Sequence, residues 1–160
     1  MRRPAKIAVR AVAIYIALSL ALGVLMARLT LSPMRLPRPA RAQIALMYKP
    51  YGADLQSVSI QAADGVVLQG WYAVPDHQNE QAVILLHGIG DNRSGVAGYG
   101  QAFLGQGCRI LLPDSRAHGE SGGNVATYGL LESDDIHRWV SWLLHLVRRP
   151  CQYPAGCLPR

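Results

Sequence analysis

Two apolar runs, each opening into a glycine-rich polar loop, constrain this chain more than anything else in it. Ala82-Val83-Ile84-Leu85-Leu86 leads straight into His87-Gly88-Ile89-Gly90-Asp91-Asn92. A second run, Cys108 to Leu112, opens into Pro113-Asp114-Ser115-Arg116-Ala117-His118-Gly119-Glu120-Ser121-Gly122-Gly123. Short, continuous apolar runs bounded by turn residues read as strands covered on both faces. In open α/β sheets, ligands bind beyond the carboxyl ends of the strands. Both loops therefore belong at one edge of one sheet, where chemistry is done.

The surrounding pattern supplies the rest of that sheet. Ser57 to Gln61 alternates apolar and polar, Ala63-Asp64-Gly65 follows, and Val66 to Tyr72 resumes. Alternation around Asp-Gly predicts a hairpin. Pro75 to Glu80 is a polar turn, and Ala82 to Leu86 is predicted as a central strand. Between the two loops, Gly95 to Gly105 is a helix candidate with Val96, Tyr99, Phe103 and Leu104 on one face, and Gly107 suits its stop. A further helix is predicted from Leu130 to Leu146, with Ile136, Trp139, Val140, Leu143 and Leu144 as its apolar stripe. Glu132, Asp134 and Asp135 in its first turn and Arg148 and Arg149 beyond its end both suit the helix dipole. Strands alternating with helices predict an α/β domain with parallel strands under helices.

Ahead of this domain, Ala11 to Ala27 carries no charge over seventeen residues. That is the short end of the roughly 17–25 residues a membrane-spanning helix needs. Arg10 and Arg28 flank it and can snorkel outward. Residues 1–29 are read as a single-pass membrane anchor whose partner is the lipid bilayer through 11–27; a cleaved signal peptide and a buried helix are the alternatives. Basic residues balance on its two sides, and the signal-like layout places the globular part on the non-cytoplasmic side. Residues 30–50 form a Pro/Arg-rich linker and 51–147 the domain. The net charge of +6 gathers around the apolar segment, which suits phospholipid headgroups and not nucleic acid. The three cysteines make no disulfide framework: Cys108 reads as a buried strand residue, and Cys151 and Cys157 could pair in an oxidising compartment. No Cys-x-x-Cys or His-x-x-x-His spacing offers a metal site.

Strand-His-Gly-x-Gly, then strand-Asp-x-Arg-x-His-Gly-x-Ser-Gly-Gly, then an acidic-started helix resembles the first half of an α/β-hydrolase, over residues 55 to 146. The nearest subgroup is the membrane-anchored, serine-peptidase-like or lysophospholipase-like one. The resemblance implies an incomplete α/β-hydrolase sheet, an N-terminal hairpin plus two parallel strands with helices, behind a transmembrane helix. It implies hydrolysis of ester, thioester or amide bonds by a serine nucleophile without a cofactor, with a small ester or peptide-like ligand. It assigns one oxyanion-hole donor to the amide of Ile89, with His87, Gly88 and Gly90 shaping the turn. Asp114, Arg116, His118 and Ser121 become a hydrogen-bonded supporting loop. Where the family usually has glycine, this chain has Ala117.

Two rival motifs fail on their mechanics. Gly88-x-Gly90 lacks the third glycine of a dinucleotide fingerprint, because Arg93 stands there. Gly119-x-Ser121-x-Gly123 matches the nucleophile-elbow pattern, but an elbow needs a strand ending at its first glycine and a helix starting after the serine. Here Pro113 to His118 intervene and Gly122-Gly123-Asn124 follow, so Ser121 is a poor nucleophile candidate. Downstream, Asp134, Asp135, His137 and His145 all share one predicted helix. Residues 148–160 hold Pro150, Pro154 and Pro159 and read as a non-family tail, such as a frameshift or a gene-model error would leave. Nucleophile, acid and base are expected to be absent, so the chain as given is expected to be inactive. A non-catalytic membrane-anchored binding or interaction protein is the alternative.

Overall fold

Alternating side chains and one tight turn start the sheet. The computed structural model of the chain describes residues 3–36 and 41–147. β1 (Asp54–Gln61) and β2 (Val67–Val74) pair antiparallel from Asp54↔Val74 to Gln61↔Val67. Their turn is closed by Ala62 N donating to Val66 O at 2.8 Å and Gly65 N to Ala62 O at 3.0 Å. β3 (Ala82–Ile84) is followed by α3 (Ala97–Gly105), β4 (Arg109–Pro113) and α4 (Glu132–Val147). The sheet order is β1-β2-β4-β3, with β4 antiparallel to β2 and parallel to β3. The hairpin and the two parallel strands expected from the sequence are all present.

The period of two divides the core between the two faces of this sheet. Trp71 and Ala73 of β2 and Ile110 and Leu112 of β4 face α3, with Leu104 against them. Leu68 and Tyr72 of β2 and Leu111 of β4 face the other way, onto Trp139 and Leu143 of α4. Gly70 lies under the Trp139 ring; a Cβ there would stand 3.2 Å from its Cη2. β4 is the strand covered on both sides. Ile110, Leu111 and Leu112 are fully buried.

Three sequence expectations need correcting. The run Ala82–Leu86 is not a central strand: β3 has three residues, all half-buried, and lies at the sheet edge among the described residues. Pairing continues only through Leu85 N to Leu111 O, and Leu86 is half exposed. In α3, Leu104 is buried and Val96 and Phe103 pack against the core as expected, but Ala97 and Gly100 complete the buried face and Tyr99 points to solvent at 70% exposure. In α4 the buried face is Asp135, Trp139 and Leu143, while Val140 and Leu144 are exposed. Arg148, Arg149, Cys151 and Cys157 lie outside the described residues.

The stretch read as a linker is partly built into the domain. α2 (Arg41–Tyr48) and a 3-10 turn (Lys49–Tyr51) precede β1, and Ile44 and Tyr48 enter the core. Arg41 donates to the carbonyl of Leu55. Tyr48 donates its hydroxyl to Ala97 O at 2.8 Å, tying α2 to α3, and burial pushes its phenol well above the usual range. α1 (Arg3–Leu31) comes first of all. Its segment Lys6–Leu31 has a mean hydropathy of 2.2 and no buried part, so it is long and apolar enough to cross a bilayer; a signal sequence has the same properties.

The start of α4 is held by Glu132. Its carboxylate accepts Thr127 N at 2.6 Å, the Thr127 hydroxyl at 2.7 Å and Gly129 N at 2.8 Å. Burial raises this carboxyl, but the hydrogen bonds from Thr127 and Gly129 outweigh burial and lower it from 4.5 to about 2. A carboxyl depressed by folding contributes its full stability above its unfolded value and loses it as pH falls through the folded one. Amide protection at Thr127 and Gly129, corrected for intrinsic exchange, is expected to hold above about pH 4.5 and to fall away toward pH 2. Protection unchanged across that window would exclude this carboxylate as the clasp.

Candidate functional site

The carboxyl ends of β3 and β4 bring the two glycine-rich loops together, as parallel neighbours must. His87 joins them. Its Nε2 accepts Ser115 N at 3.0 Å, so Nδ1 carries the proton and donates to Gly88 O at 2.8 Å. Both ring nitrogens are thus engaged in holding backbone, and neither is left for proton transfer. Asp91 N donates to Gly88 O at 3.3 Å, and Gly90 takes φ 74, closing a turn over Ile89. The Ile89 side chain is 63% exposed, and its N–H makes no hydrogen bond among the described residues.

The second loop is organised around Asp114, which is completely buried. One carboxylate oxygen accepts Arg93 N at 2.8 Å and the other accepts Glu120 N at 2.7 Å. Gly119, at φ 48, lets the chain fold over that carboxylate; a Cβ there would stand 2.1 Å from Oδ2. Ser121 Oγ donates to Asp114 O at 2.7 Å and accepts Gln69 N at 2.9 Å. Its proton and a lone pair are engaged with backbone, and the side chain is buried. Ser121 is a brace between β2 and the loop.

Arg116 carries the loop across to α4. Its Nε and Nη2 donate to the two oxygens of buried Asp135 at 2.7 and 2.8 Å, and Nη1 reaches Asp64 of the hairpin turn at 2.8 Å. These charge-assisted bonds, that to Asp135 foremost, hold the guanidinium above its ordinary range. Asp64 is lowered, chiefly by its hydrogen bond from Arg116. His118 packs its ring 5.2 Å from that of His87 and donates Nδ1–H to Arg116 O at 2.8 Å, and its Nε2 is buried without a partner among the described residues.

Ala117 occupies the left-handed region at φ 61, the conformation that glycine takes without penalty. A left-handed alanine costs about 1–2 kcal/mol. Glycine would remove that strain, but it would lose about 0.8 kcal/mol for one buried methyl and about 0.5–1 kcal/mol of chain entropy. The terms nearly cancel, which is why alanine is tolerated here. Ala117→Gly is expected to leave the urea midpoint almost unchanged, whereas Ala117→Val, β-branched at positive φ, is expected to cost more than about 2 kcal/mol. A valine variant as stable as the parent would contradict the observed backbone.

Several residues of this site were not singled out from the sequence. Arg93, noted only for not being glycine, is 1% exposed, pairs with Asp114 at 3.5 Å and with Glu120, and lies 4.6 Å over the Trp71 ring. Arg35, in the stretch after α1, donates to the carbonyls of Gly119 at 2.8 Å, Ser121 at 2.7 Å and Gly123 at 2.9 Å. Asp135 is legible as a first-turn acid that suits the α4 dipole, but neither its pairing with Arg116 nor the Gln69 bond to Ser121 leaves a mark in the sequence. Conversely, Asp134 pairs with Arg138 on the surface of α4 at 2.8 Å, and His137 and His145 are exposed on that helix, so none of the three reaches the loops. Beneath Asp114 and Arg116 a cavity of about 10 Å³ has room for about one water. A larger cavity, about 310 Å³, is lined among others by Tyr51, Asp76, His77 and Gly107, which belong to neither loop.

No family model matches the sequence. A Bacillus subtilis (strain 168) protein, uncharacterized protein YqkD, is 36% identical over 84 residues, which is 52% of this chain and 27% of that protein. Among solved structures, the esterase Pf2001 from Pyrococcus furiosus superposes with a TM-score of 0.61 at 29% identity, covering 72% of this chain and 42% of the esterase. The α/β hydrolase GrgF from Penicillium sp. sh18 gives a TM-score of 0.50 at 25% identity, over 56% of this chain and 32% of its own. Protein PA2218 from Pseudomonas aeruginosa, at 21% identity and a TM-score of 0.52, shares the fold. The chain thus spans about a quarter of that relative and less than half of each of these structures.

Proposed function

The described residues carry an α/β-hydrolase-like fold over roughly the N-terminal half of that fold, and from this we propose that the chain is the oxyanion side of a membrane-anchored serine hydrolase. The observation that carries the reading is the Ile89 N–H. It is free among the described residues, sits in a glycine-flanked turn at the carboxyl end of β3, and is held by His87 against the β4 loop. A pre-aimed backbone donor beyond a strand is what a developing oxyanion requires. The bonds hydrolysed are those of esters, thioesters or amides, and the esterase likeness supports an acyl-transfer reaction. α1 is the anchor, crossing the bilayer once, with the sheet on the non-cytoplasmic side. Asp114, Arg116, His118 and Ser121 position the loop and touch no reacting atom.

The described residues hold no serine hydroxyl bonded to a histidine, so these 160 residues are expected to be catalytically silent. A fluorophosphonate probe applied to the full chain should give no serine adduct. Labelling that disappears in Ser121→Ala would overturn this assignment and make Ser121 the nucleophile. The coding DNA after codon 150 tests the hydrolase reading itself. A strand followed by Gly-x-Ser-x-Gly in any of its three frames supports the reading. A chain extended through that segment should label, and Ile89→Pro, which removes the donor, should slow labelling by about 100-fold or more. An Ile89→Pro chain that labels at the parent rate rules out this amide.

A further inference from the structure

The segment leaving α1 does not hang free; it is bonded to the loop that precedes α4. Leu31 O accepts Ala126 N at 2.8 Å, and Thr30 O accepts the Tyr128 hydroxyl at 2.7 Å. Beyond them Arg35 clasps the Gly119–Gly123 carbonyls, and Leu36 O accepts Asn92 Nδ2 at 3.3 Å. The chain leaving the helix therefore runs across the carboxyl edge of the sheet, from one loop to the other.

This fixes a height. The charge-free run ends at Ala27, and Thr30 lies three residues further, about 4.5 Å along a helix axis. The headgroup layer on each side of a bilayer is about 5–8 Å thick. If α1 spans the membrane, residues 125–131 stand at headgroup level. Their surface suits that position. Leu130 is 81% exposed, Tyr128 51%, Val125 42% and Leu131 39%. A tyrosine with exposed aliphatic neighbours favours the interface, where its ring is apolar and its hydroxyl polar. Arg28, at the end of the run, is placed to meet lipid phosphates.

We propose that loop 125–131 is an interfacial docking loop that seats in the lipid headgroup layer beside the exit of α1, turning the carboxyl edge of the sheet toward the bilayer. The proposal rests on α1 crossing the membrane, and its test separates the two. The full chain, with Cys151 and Cys157 replaced by serine and buried Cys108 kept, is reconstituted in phosphatidylcholine–phosphatidylglycerol vesicles. Bimane is attached in turn through Leu130→Cys, Leu18→Cys in α1, and Glu80→Cys, an exposed site before β3. Lipids carrying a nitroxide near the headgroup should quench the Leu130→Cys label at least threefold more than the Glu80→Cys label. A nitroxide deep in the acyl chain should quench the Leu18→Cys label.

Quenching at Leu18→Cys with none above the Glu80→Cys level at Leu130→Cys overturns the docking loop and leaves the span standing. A Leu130→Cys label that is blue-shifted yet insensitive to lipid nitroxides, the sign of a protein cover, overturns it too. An unquenched Leu18→Cys label removes the span and the docking loop with it.

Discussion

Arg116→Ala is expected to destabilise the full chain by about 3–5 kcal/mol, the usual result of removing one partner from a buried ion pair. Arg116 is 4% exposed and grips Asp135 with both arms of its fork at 2.7 and 2.8 Å. Alanine would leave the Asp135 carboxylate, also 4% exposed, without a counter-charge in the interface between α4 and the loop. The third bond, to Asp64, contributes little to the loss, since that carboxylate is open to water. Arg116→Lys keeps the charge but not the fork and should fall between parent and alanine. Arg116→Met with Asp135→Leu removes both charges and fills the space, so it should recover most of the loss. The measurement is the urea midpoint of the detergent-solubilised chain, followed by tryptophan fluorescence, since Trp139 sits on α4 one turn from Asp135. A loss below about 1 kcal/mol for Arg116→Ala would show that the pair does not carry the loop.

The sheet was legible because its signals are local. Asp64-Gly65 between alternating runs forces a hairpin, and Ile110-Leu111-Leu112 shortly before Asp114 read as a strand whichever partners they find. The edge position of β3 was not legible, because an apolar run looks alike whether a neighbour covers it or not. The site was legible as two loops but not as a network. Asp114, Arg116, His118 and Ser121 were found through a motif, and each is buried and bonded. Arg93 and Arg35 were missed since their partners lie 21 or more positions away in sequence. A polar side chain that will be buried carries no local mark of it; only the fold decides that Arg93 meets Asp114 over Trp71 while Arg138 stays on the surface. Ala117 stands where the family usually has glycine, and the strain of its φ of 61 is nearly offset by its buried methyl and stiffer chain, a balance that only the fold reveals.

Asp114→Ala should cost about as much as Arg116→Ala, through a different group of contacts. The carboxylate is the common acceptor for two loops: Arg93 N arrives from the β3 side and Glu120 N from the β4 side. The buried Arg93 amide left without an acceptor costs about 1–3 kcal/mol, and the part-buried Glu120 amide costs less. The Arg93 guanidinium, 1% exposed, would also lose its ion pair with Asp114 while keeping that with the partly exposed Glu120. These losses share one site and do not add, so about 3–5 kcal/mol is expected in total. Asp114→Asn separates the contributions. Its oxygen can serve one amide while its NH₂ faces the other donor, and about 2 kcal/mol should be lost. Hydrogen exchange gives the location: the Arg93 and Glu120 amides should lose protection in both variants, while the β1–β2 amides keep theirs in native conditions. The turn over Ile89 is tied to the β4 loop by His87 and, beyond Ile89, by Arg93, so losing the Asp114 carboxylate weakens the second tie, which keeps its ion pair with Glu120. If Asp114→Asn matches the parent within about 0.5 kcal/mol and both amides stay protected, the Asp114 carboxylate is not what holds the two loops together.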